Sequence, residues 1–229
     1  LVPLSLITAL SAVALAGCAQ KAEIELPPTG ERATVIEKLP LTVGVFYGQR
    51  FRNYTYKQCM EPMVGGFGFK PPPCSFEGWP IDVKIGKASV ALFNRTMRAL
   101  FQQVEAVESR RPASRNSRAL DAIIEPEIID YGFSIGMGST KVIWGATITY
   151  RLVLRTPGGD ELARWSISGE SKVVSKGFNF IAYGIKNTTP GVLRAVEAKT
   201  LTGFHEQPGV KRWLTSHGIE KVGSRRNGQ

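Results

Sequence analysis

The pattern that most restricts the fold of this chain is an apolar residue at every second position between residues 142 and 154. The apolar members are Val142, Trp144, Ala146, Ile148, Tyr150, Leu152 and Leu154. A period of two is typical of a β-strand with one buried face, and Thr147, Thr149 and Arg151 occupy the half-solvated face. The Pro-Gly-Gly-Asp sequence at residues 157–160 then predicts a hairpin turn. We therefore expect residues 161–174 to form the return strand.

Helical periodicity occurs on both sides of this hairpin. Between residues 87 and 103 the apolar positions recur in steps of three and four, at Val90, Phe93, Met97, Leu100 and Phe101. The pair Thr189-Pro190 predicts the cap and first turn of a second helix that runs to about His205. A short final helix is expected from Pro208 to about Gly218.

The remaining patterns complete an α+β fold. We expect a strand at 39–46 that continues into 47–52, a short edge strand at 104–107, a strand at 122–133 interrupted by Pro126 at an edge or a bulge, and a turn at 136–139. The predicted architecture is an antiparallel or mixed sheet with two main helices packed on one side. Residues 39–218 would form this single domain.

The first eighteen residues predict export. Residues 1–15 are apolar and uncharged, but the run is shorter than the roughly 20 residues that cross a bilayer. It ends in Leu15-Ala16-Gly17-Cys18, which resembles the lipobox of bacterial lipoproteins at all four positions. That resemblance implies a diacylglycerol on the Cys18 thiol, cleavage before Cys18 and an N-acyl chain, with no other cofactor. The alternatives are an ordinary signal peptide, or a buried N-terminal helix with an incidental cysteine.

The lipoprotein resemblance implies both the boundaries of the segments of the chain and its cellular location. Residues 1–17 become the signal peptide, 18–38 a lipidated tether, and 219–229 a basic tail that we expect to be disordered. Proteobacterial lipoproteins with Asp after the modified cysteine are retained in the inner membrane, and Ala19 stands here instead. The implied location is the outer membrane, facing the periplasm. In a Gram-positive source it would be the surface of the cytoplasmic membrane.

The order of elements carries a second resemblance. A lipobox, a short tether and a strand–helix–strands–helix order are similar to LptE-like and YajG-like envelope lipoproteins and to the α/β domain of curli-secretion lipoproteins. This resemblance spans about residues 39–205 and rests on topology, so it transfers no binding residue.

Two further cysteines predict a disulfide. Once Cys18 is acylated, Cys59 and Cys74 remain as an even pair in a compartment that permits disulfides. The Gly- and Pro-rich segment between them could gain about 3 kcal/mol from such a bridge. The fold would then include a disulfide-closed loop insertion. Two free thiols or a metal site are the alternatives, and no nearby histidine supports the metal site.

Positive charge suggests the kind of partner. The formal net charge is +10, and none of it lies in the leader. Four arginines of one polar loop, Arg110, Arg111, Arg115 and Arg118, are candidates for anion binding through paired guanidinium donors. The expected ligand is an anionic lipid or glycan of the envelope rather than nucleic acid. The alternatives are a flexible polar linker and a charge that only aids solubility.

Signals for catalysis are few. Glu125 and Glu127 flank Pro126 and could serve in acid–base chemistry or bind a cation, or they could pair with nearby arginines. The two histidines, His205 and His217, have no metal-ligand spacing. We therefore expect no enzyme, no catalytic residue and no metal site.

These observations favour a non-catalytic, membrane-anchored accessory or scaffold protein of a cell-envelope complex, with an envelope protein as its partner. The alternative function is a lipoprotein that binds an anionic glycolipid or polysaccharide through the basic loop.

Overall fold

The computed structural model describes residues 20–23, 37–60, 79–111, 120–137, 141–176 and 181–219. Within them the strands are β1 (Gln20–Glu23), β2 (Leu39–Phe46), β3 (Thr55–Met60), β4 (Trp79–Lys84), β5 (Phe101–Val107), β6 (Ala122–Met137), β7 (Lys141–Arg155) and β8 (Glu161–Lys176). The helices are α1 (Gln49–Arg52), α2 (Gly86–Leu100), α3 (Ile181–Gly203) and α4 (Pro208–Ser216).

Five strands form a mixed sheet in the order β5-β2-β6-β7-β8. Strand β2 is parallel to both β5 and β6, whereas β6, β7 and β8 pair antiparallel. The alternation that predicted β7 is confirmed, since Trp144, Ile148 and Tyr150 are buried on one face. The predicted short strand after α2 is also present and lies at the edge of the sheet as β5.

Helices α2 and α3 cover the same face of this sheet, which we call the closed face. The Ser89 hydroxyl of α2 lies 2.7 Å from the Tyr150 hydroxyl of β7. The Thr189 hydroxyl of α3 lies 2.8 Å from the Tyr131 hydroxyl of β6. The predicted α+β class, with two main helices on one side of a mixed sheet, is therefore confirmed. The opposite face, the open face, carries no helix in the described part of the chain.

A β-bulge in β6 changes which residues face the helices. Before the bulge Ala122 and Ile124 are buried, and after the register shift between Ile128 and Asp130 the buried residues are Tyr131 and Phe133. An extra residue reverses the alternation of faces. Pairing of β6 with β2 extends only to Ile124, so Pro126 lies where β6 has left that neighbour. Its missing N–H therefore removes no hydrogen bond to β2.

A second, smaller sheet was not predicted from the sequence. It has the order β1-β4-β3, with β1 parallel and β3 antiparallel to β4. Strand β1 lies inside the interval 18–38, for which we expected a tether, so part of that interval belongs to the folded domain. Buried Ile81 and Val83 of β4 join the main core.

Helix α3 begins earlier than the sequence analysis predicted. The expected start at Thr189 is wrong, since the helix runs from Ile181 and contains Pro190 in its interior. The buried face at Ile181, Ile185, Val192 and Val196 keeps helical spacing on both sides of the proline. Burial of this apolar face compensates for the missing proline N–H.

Two shorter expectations also differ from the structure. Residues 49–52 form helix α1 rather than an extension of β2, which lets Phe51 fill the core beside Tyr150. Strand β6 continues to Met137, through the start of the turn predicted at 136–139, because Gly136 and Met137 pair with Ile143 and Val142. The predicted helix at Pro208 is confirmed, with the proline in its first turn.

Several predicted features lie outside the described residues. The signal peptide, Cys18 and Cys74 are among them, so the Cys59–Cys74 disulfide stays a prediction. Of the predicted tail, Ile219 is described, and its backbone N–H donates to the Leu214 carbonyl. None of the helices in the described ranges combines the length and the apolar character needed to cross a membrane.

Candidate functional site

The acidic pair identified from the sequence lies on the open face of the large sheet. Glu125 and Glu127 alternate along β6 and pair in register with Val153 and Arg151 of β7. Because β7 and β8 run antiparallel beside them, the arginines on the same face of those strands approach the two carboxylates.

Glu125 is almost fully buried, with 2% of its surface exposed, and it is held between two arginines. Arg110 donates to its Oε1 from both Nε, at 2.8 Å, and Nη2. Arg155 Nε approaches Oε2 at 3.4 Å. The guanidinium carbon of Arg110 also lies 5.8 Å from the centre of the Phe46 ring. A buried carboxylate is tolerated in a protein only when it is paired in this way.

The ion pairs continue across the open face as one group, which we call the arginine network. Arg151 Nη1 lies 3.4 Å from Glu127 Oε2. Arg155, which contacts Glu125, also approaches Glu161, with 3.8 Å between its Nη2 and Oε2 of Glu161. Glu161 accepts two hydrogen bonds from Arg164, at 2.9 and 2.6 Å. The network comprises Arg110, Glu125, Glu127, Arg151, Arg155, Glu161 and Arg164.

The protonation states of the network follow from these contacts. The hydrogen bond to Glu125 raises the pKa of Arg110 above its ordinary value. The hydrogen bond from Arg164 lowers the pKa of Glu161, with further help from the charges of Arg164 and Arg155. Both effects favour the charged forms, so these groups stay ionised at neutral pH.

This arrangement agrees with the interpretation that the two acids pair with arginines. A catalytic acid or base needs access to a substrate and a proton that it can exchange near neutral pH. Both oxygens of Glu125 face guanidinium groups, and its side chain is closed to solvent. The chemistry available here is electrostatic cross-linking of three strands and the loop that carries Arg110.

The four predicted anion-binding arginines separate in the structure. Arg110 and Arg111 are both exposed, but Arg110 is bonded to Glu125, whereas Arg111 lies over the β7–β8 turn at Gly159. Arg115 and Arg118 lie outside the described residues. Anion binding by the loop stays a prediction.

The opposite end of the open face carries lysines and exposed apolar side chains instead of paired arginines and glutamates. Lys141 pairs in register with Lys176, and Ile143 pairs with Val174, while Lys172 lies opposite Gly145. All three lysines are exposed, and Ile143 and Val174 are 44% and 57% exposed. We call this group the lysine end, and it comprises Lys141, Ile143, Lys172, Val174 and Lys176.

The sequence analysis missed the lysine end. A usable signal was the apolar run Val142-Ile143-Trp144, because it places Ile143 on the face where the alternation predicts polar residues. Val173-Val174 repeats the same departure in the return strand. An isolated apolar residue on a polar face is common, so only the pairing of the two strands makes the feature visible.

Comparison with known proteins finds solved structures that share low similarity with this chain. The chain matches no protein-family model and no curated protein. One neighbour is a protein from Helicobacter pylori described as a neuraminyllactose-binding hemagglutinin homolog, with 9% identity and a TM-score of 0.40 over 84% of this chain and 98% of that chain. Another is a minor lipoprotein from Acinetobacter baumannii, with 7% identity and a TM-score of 0.36 over 77% of this chain and 96% of that chain. What this chain does is therefore inferred from its own residues.

Proposed function

We propose that this chain is a non-catalytic lipoprotein anchored in the outer membrane through acyl chains on Cys18. Its domain would lie in the periplasm as an accessory or scaffold component of an envelope complex. The observation that carries the proposal is the lipobox Leu15-Ala16-Gly17-Cys18, followed two residues later by β1 of the folded domain. An anchor so close to the domain would hold it at the membrane surface.

The arginine network supports a structural role rather than a catalytic one. Its most buried carboxylate, Glu125, is occupied on both oxygens by Arg110 and Arg155. Such a cross-link stiffens the long strands β6, β7 and β8 and the start of the basic loop. A stiff sheet with one helix-free face is a suitable platform for another protein.

The same contacts favour a scaffold over an anion-binding protein. Arg110 directs Nε and Nη2 to Glu125, which leaves its Nη1 donors as the part of this guanidinium that a phosphate or a sugar carboxylate could reach. Bidentate binding of an anionic glycolipid through Nε and Nη2 would therefore have to rely on the other arginines of the loop.

The anchor is tested by the intact mass of the protein purified from its own membranes. We expect a chain that begins at Cys18 and carries two or three acyl chains, and two acyl chains suffice for stable attachment. The Cys18→Ala variant should lose the added mass. An unacylated wild-type chain that begins elsewhere would remove the basis of the proposal.

The scaffold role is tested by extraction in mild detergent. A scaffold should co-purify with a second polypeptide in fixed stoichiometry, whereas a ligand-binding protein should carry lipid or glycan and lose it as salt rises. A variant with Arg111, Arg115 and Arg118 replaced by Ser, which keeps the Arg110–Glu125 pair, separates the two roles further. Loss of a bound glycolipid in that variant would contradict the scaffold role, and unchanged lipid content would exclude the ligand-binding alternative.

A further inference from the structure

The lysine end combines exposed apolar side chains with unpaired positive charge. Lys141 and Lys176 lie directly opposite each other on the open face, and like charges in this position are destabilising. Within the described ranges neither lysine approaches a carboxylate within ion-pair distance, unlike the arginines of the network. The connecting segments 138–140 and 177–180 contain no acidic residue in the sequence. An external anion would relieve this repulsion.

Exposed apolar residues concentrate at the same end of the molecule. Ile143, Val174, Tyr183 and Ile129 are the large apolar side chains with substantial exposure among the described residues. Ile143 and Val174 belong to the lysine end. Tyr183 lies at the same end of the large sheet but on its closed side, because the next residue of α3, Gly184, packs against the buried Trp144 ring of β7. Two of the four therefore lie among the lysines, while Ile129 is the extra residue of the β6 bulge.

The small sheet extends toward this end as well. The Phe51 ring lies 6.2 Å from the Tyr150 ring, and the Tyr56 ring lies 4.9 Å from the Tyr131 ring. The Tyr56 hydroxyl is also within hydrogen-bonding reach of the Phe133 backbone, which pairs with Ala146. The chain between residues 51 and 56 therefore runs parallel to the axis of β7. It starts level with Tyr150 and moves toward the end of β7 that begins at Lys141.

The register of the small sheet then locates the N-terminal end of β1. Gln20 pairs with Ile81, which pairs with Gln58 beyond Tyr56 on β3. Strand β1 therefore begins toward the same end of the large sheet as the lysine end, but on its closed face, where β1 contacts α3. Cys18 is two residues before Gln20, and two residues of chain reach at most about 7 Å.

We infer that the lysine end is a membrane-contact surface that seats the domain on the anionic phospholipid bilayer holding its own anchor. The lysines bind lipid phosphates, and Ile143 and Val174 contact the boundary between headgroups and acyl chains. The arginine network, at the other end of the same face, then lies away from the bilayer. The closeness of this surface to the bilayer rests on the proposed anchor at Cys18. The positive charge and the exposed apolar side chains of the lysine end do not depend on that anchor.

The test places a photo-cross-linking benzoylphenylalanine at Val174 or, as the matched control, at Ser166. Both residues are exposed on the open face of β8, and Ser166 pairs with Arg151 of the arginine network whereas Val174 pairs with Ile143 of the lysine end. The full protein purified from membranes is reconstituted into vesicles that contain phosphatidylglycerol, or into vesicles of phosphatidylcholine alone. We expect phospholipid adducts at Val174 to exceed those at Ser166 several-fold in the phosphatidylglycerol vesicles. Equal yields at the two positions would overturn the inference.

A charge variant tests the role of the lysines. Lys141→Gln, Lys172→Gln and Lys176→Gln together change exposed residues and should leave the fold intact, which circular dichroism checks. The adducts at Val174 should fall to the yield seen in phosphatidylcholine vesicles, and an unchanged yield would refute the contribution of charge. Flotation with the vesicles and intact mass report the anchor separately. If the protein carries no acyl chain the proposed function fails, while the ratio of Val174 to Ser166 adducts still decides this inference.

Discussion

Glu125 shows how much the fate of one residue depends on its three-dimensional neighbours. A carboxylate beside a proline in a strand suggested either a functional acid or a solvated one paired with nearby arginines, and the side chain is paired but buried, between Arg110 and Arg155. Because the carboxylate is buried, substitution of one partner would leave an unbalanced charge in a poorly solvated environment and would destabilise the fold.

The change Glu125→Gln should therefore destabilise the domain. We expect the free energy of unfolding to fall by about 1–3 kcal/mol, because two guanidinium groups lose their carboxylate while part of their charge can turn to solvent. Urea unfolding measures the change. The matched control is Glu170→Gln, at an exposed residue on the open face of β8, which should lie within about 0.5 kcal/mol of wild type. Equal stability of the two variants would contradict a structural role for Glu125.

The sequence offered pairing with nearby arginines as one alternative but did not identify the partners. Alternation indicated that Glu125 and Glu127 share one face of β6, and that Arg151 and Arg155 share one face of β7. The contact between them depends on the register of two long strands, which includes a bulge at Ile129. Short-range patterns do not determine such a register.

At the scale of elements, helix α3 is placed by a close approach to β7. Gly184 has no side chain, and a Cβ there would lie 2.1 Å from Cε3 of Trp144. The helix backbone can pack against this indole only because residue 184 is glycine.

The change Gly184→Ala should push α3 away from the sheet. We expect a loss of about 1–3 kcal/mol in the free energy of unfolding, as for other overpacked core sites. The control Gly203→Ala lies in the same helix with open space around it, and it should be neutral or stabilising by up to about 1 kcal/mol. Thermal unfolding of both variants measures the difference. A Gly184→Ala protein as stable as wild type would mean that the Trp144 ring moves aside without cost.

Element prediction succeeded where periodicity was long and failed where it was short. The alternation of β7 and the amphipathic pattern of α2 each cover a dozen residues or more. Strands β1, β3 and β4 have only four to six residues each, and their pairing is largely non-local. The first turns of α3 were hidden because Gly184 and Thr188 occupy buried positions where an apolar residue is expected. Pro190 was then mistaken for a first-turn residue.

At the scale of the whole molecule, the core contains several tyrosines that burial keeps neutral. Desolvation raises the pKa of Tyr131 to about 12 and that of Tyr150 further. Tyr47 is likewise raised by burial, which the nearby Arg98 and Arg52 charges only partly oppose. These phenols come from β6, β7 and the segment after β2. Their titration therefore measures how well the whole closed face stays buried.

The domain should lose stability in alkaline solution. A phenol whose pKa is higher in the folded than in the unfolded protein stabilises the fold. This contribution to the free energy of unfolding is complete below the unfolded pKa, which is near 10 for tyrosine, and it is lost as the pH rises through the folded pKa. Between pH 10 and about 12, each tyrosine held neutral should cost about 1.4 kcal/mol of stability per pH unit.

Phenolate absorbance during titration checks this expectation. The folded protein should release the protons of the buried phenols later than the same protein in concentrated urea, and Tyr131→Phe should weaken the alkaline loss of stability. Coincident titration curves in the two states would contradict the buried, neutral state of these side chains.

Strand β1 has a mechanical consequence for a tethered protein. It lies parallel to β4 with its first residue directed toward the proposed membrane side, so tension from the acyl chains would act lengthwise on the strand. Under such shear the hydrogen bonds between Gln20–Glu23 and β4 share the force instead of opening one after another. The small sheet would then act as a clamp that lets the domain withstand pulling between the membrane and a bound partner.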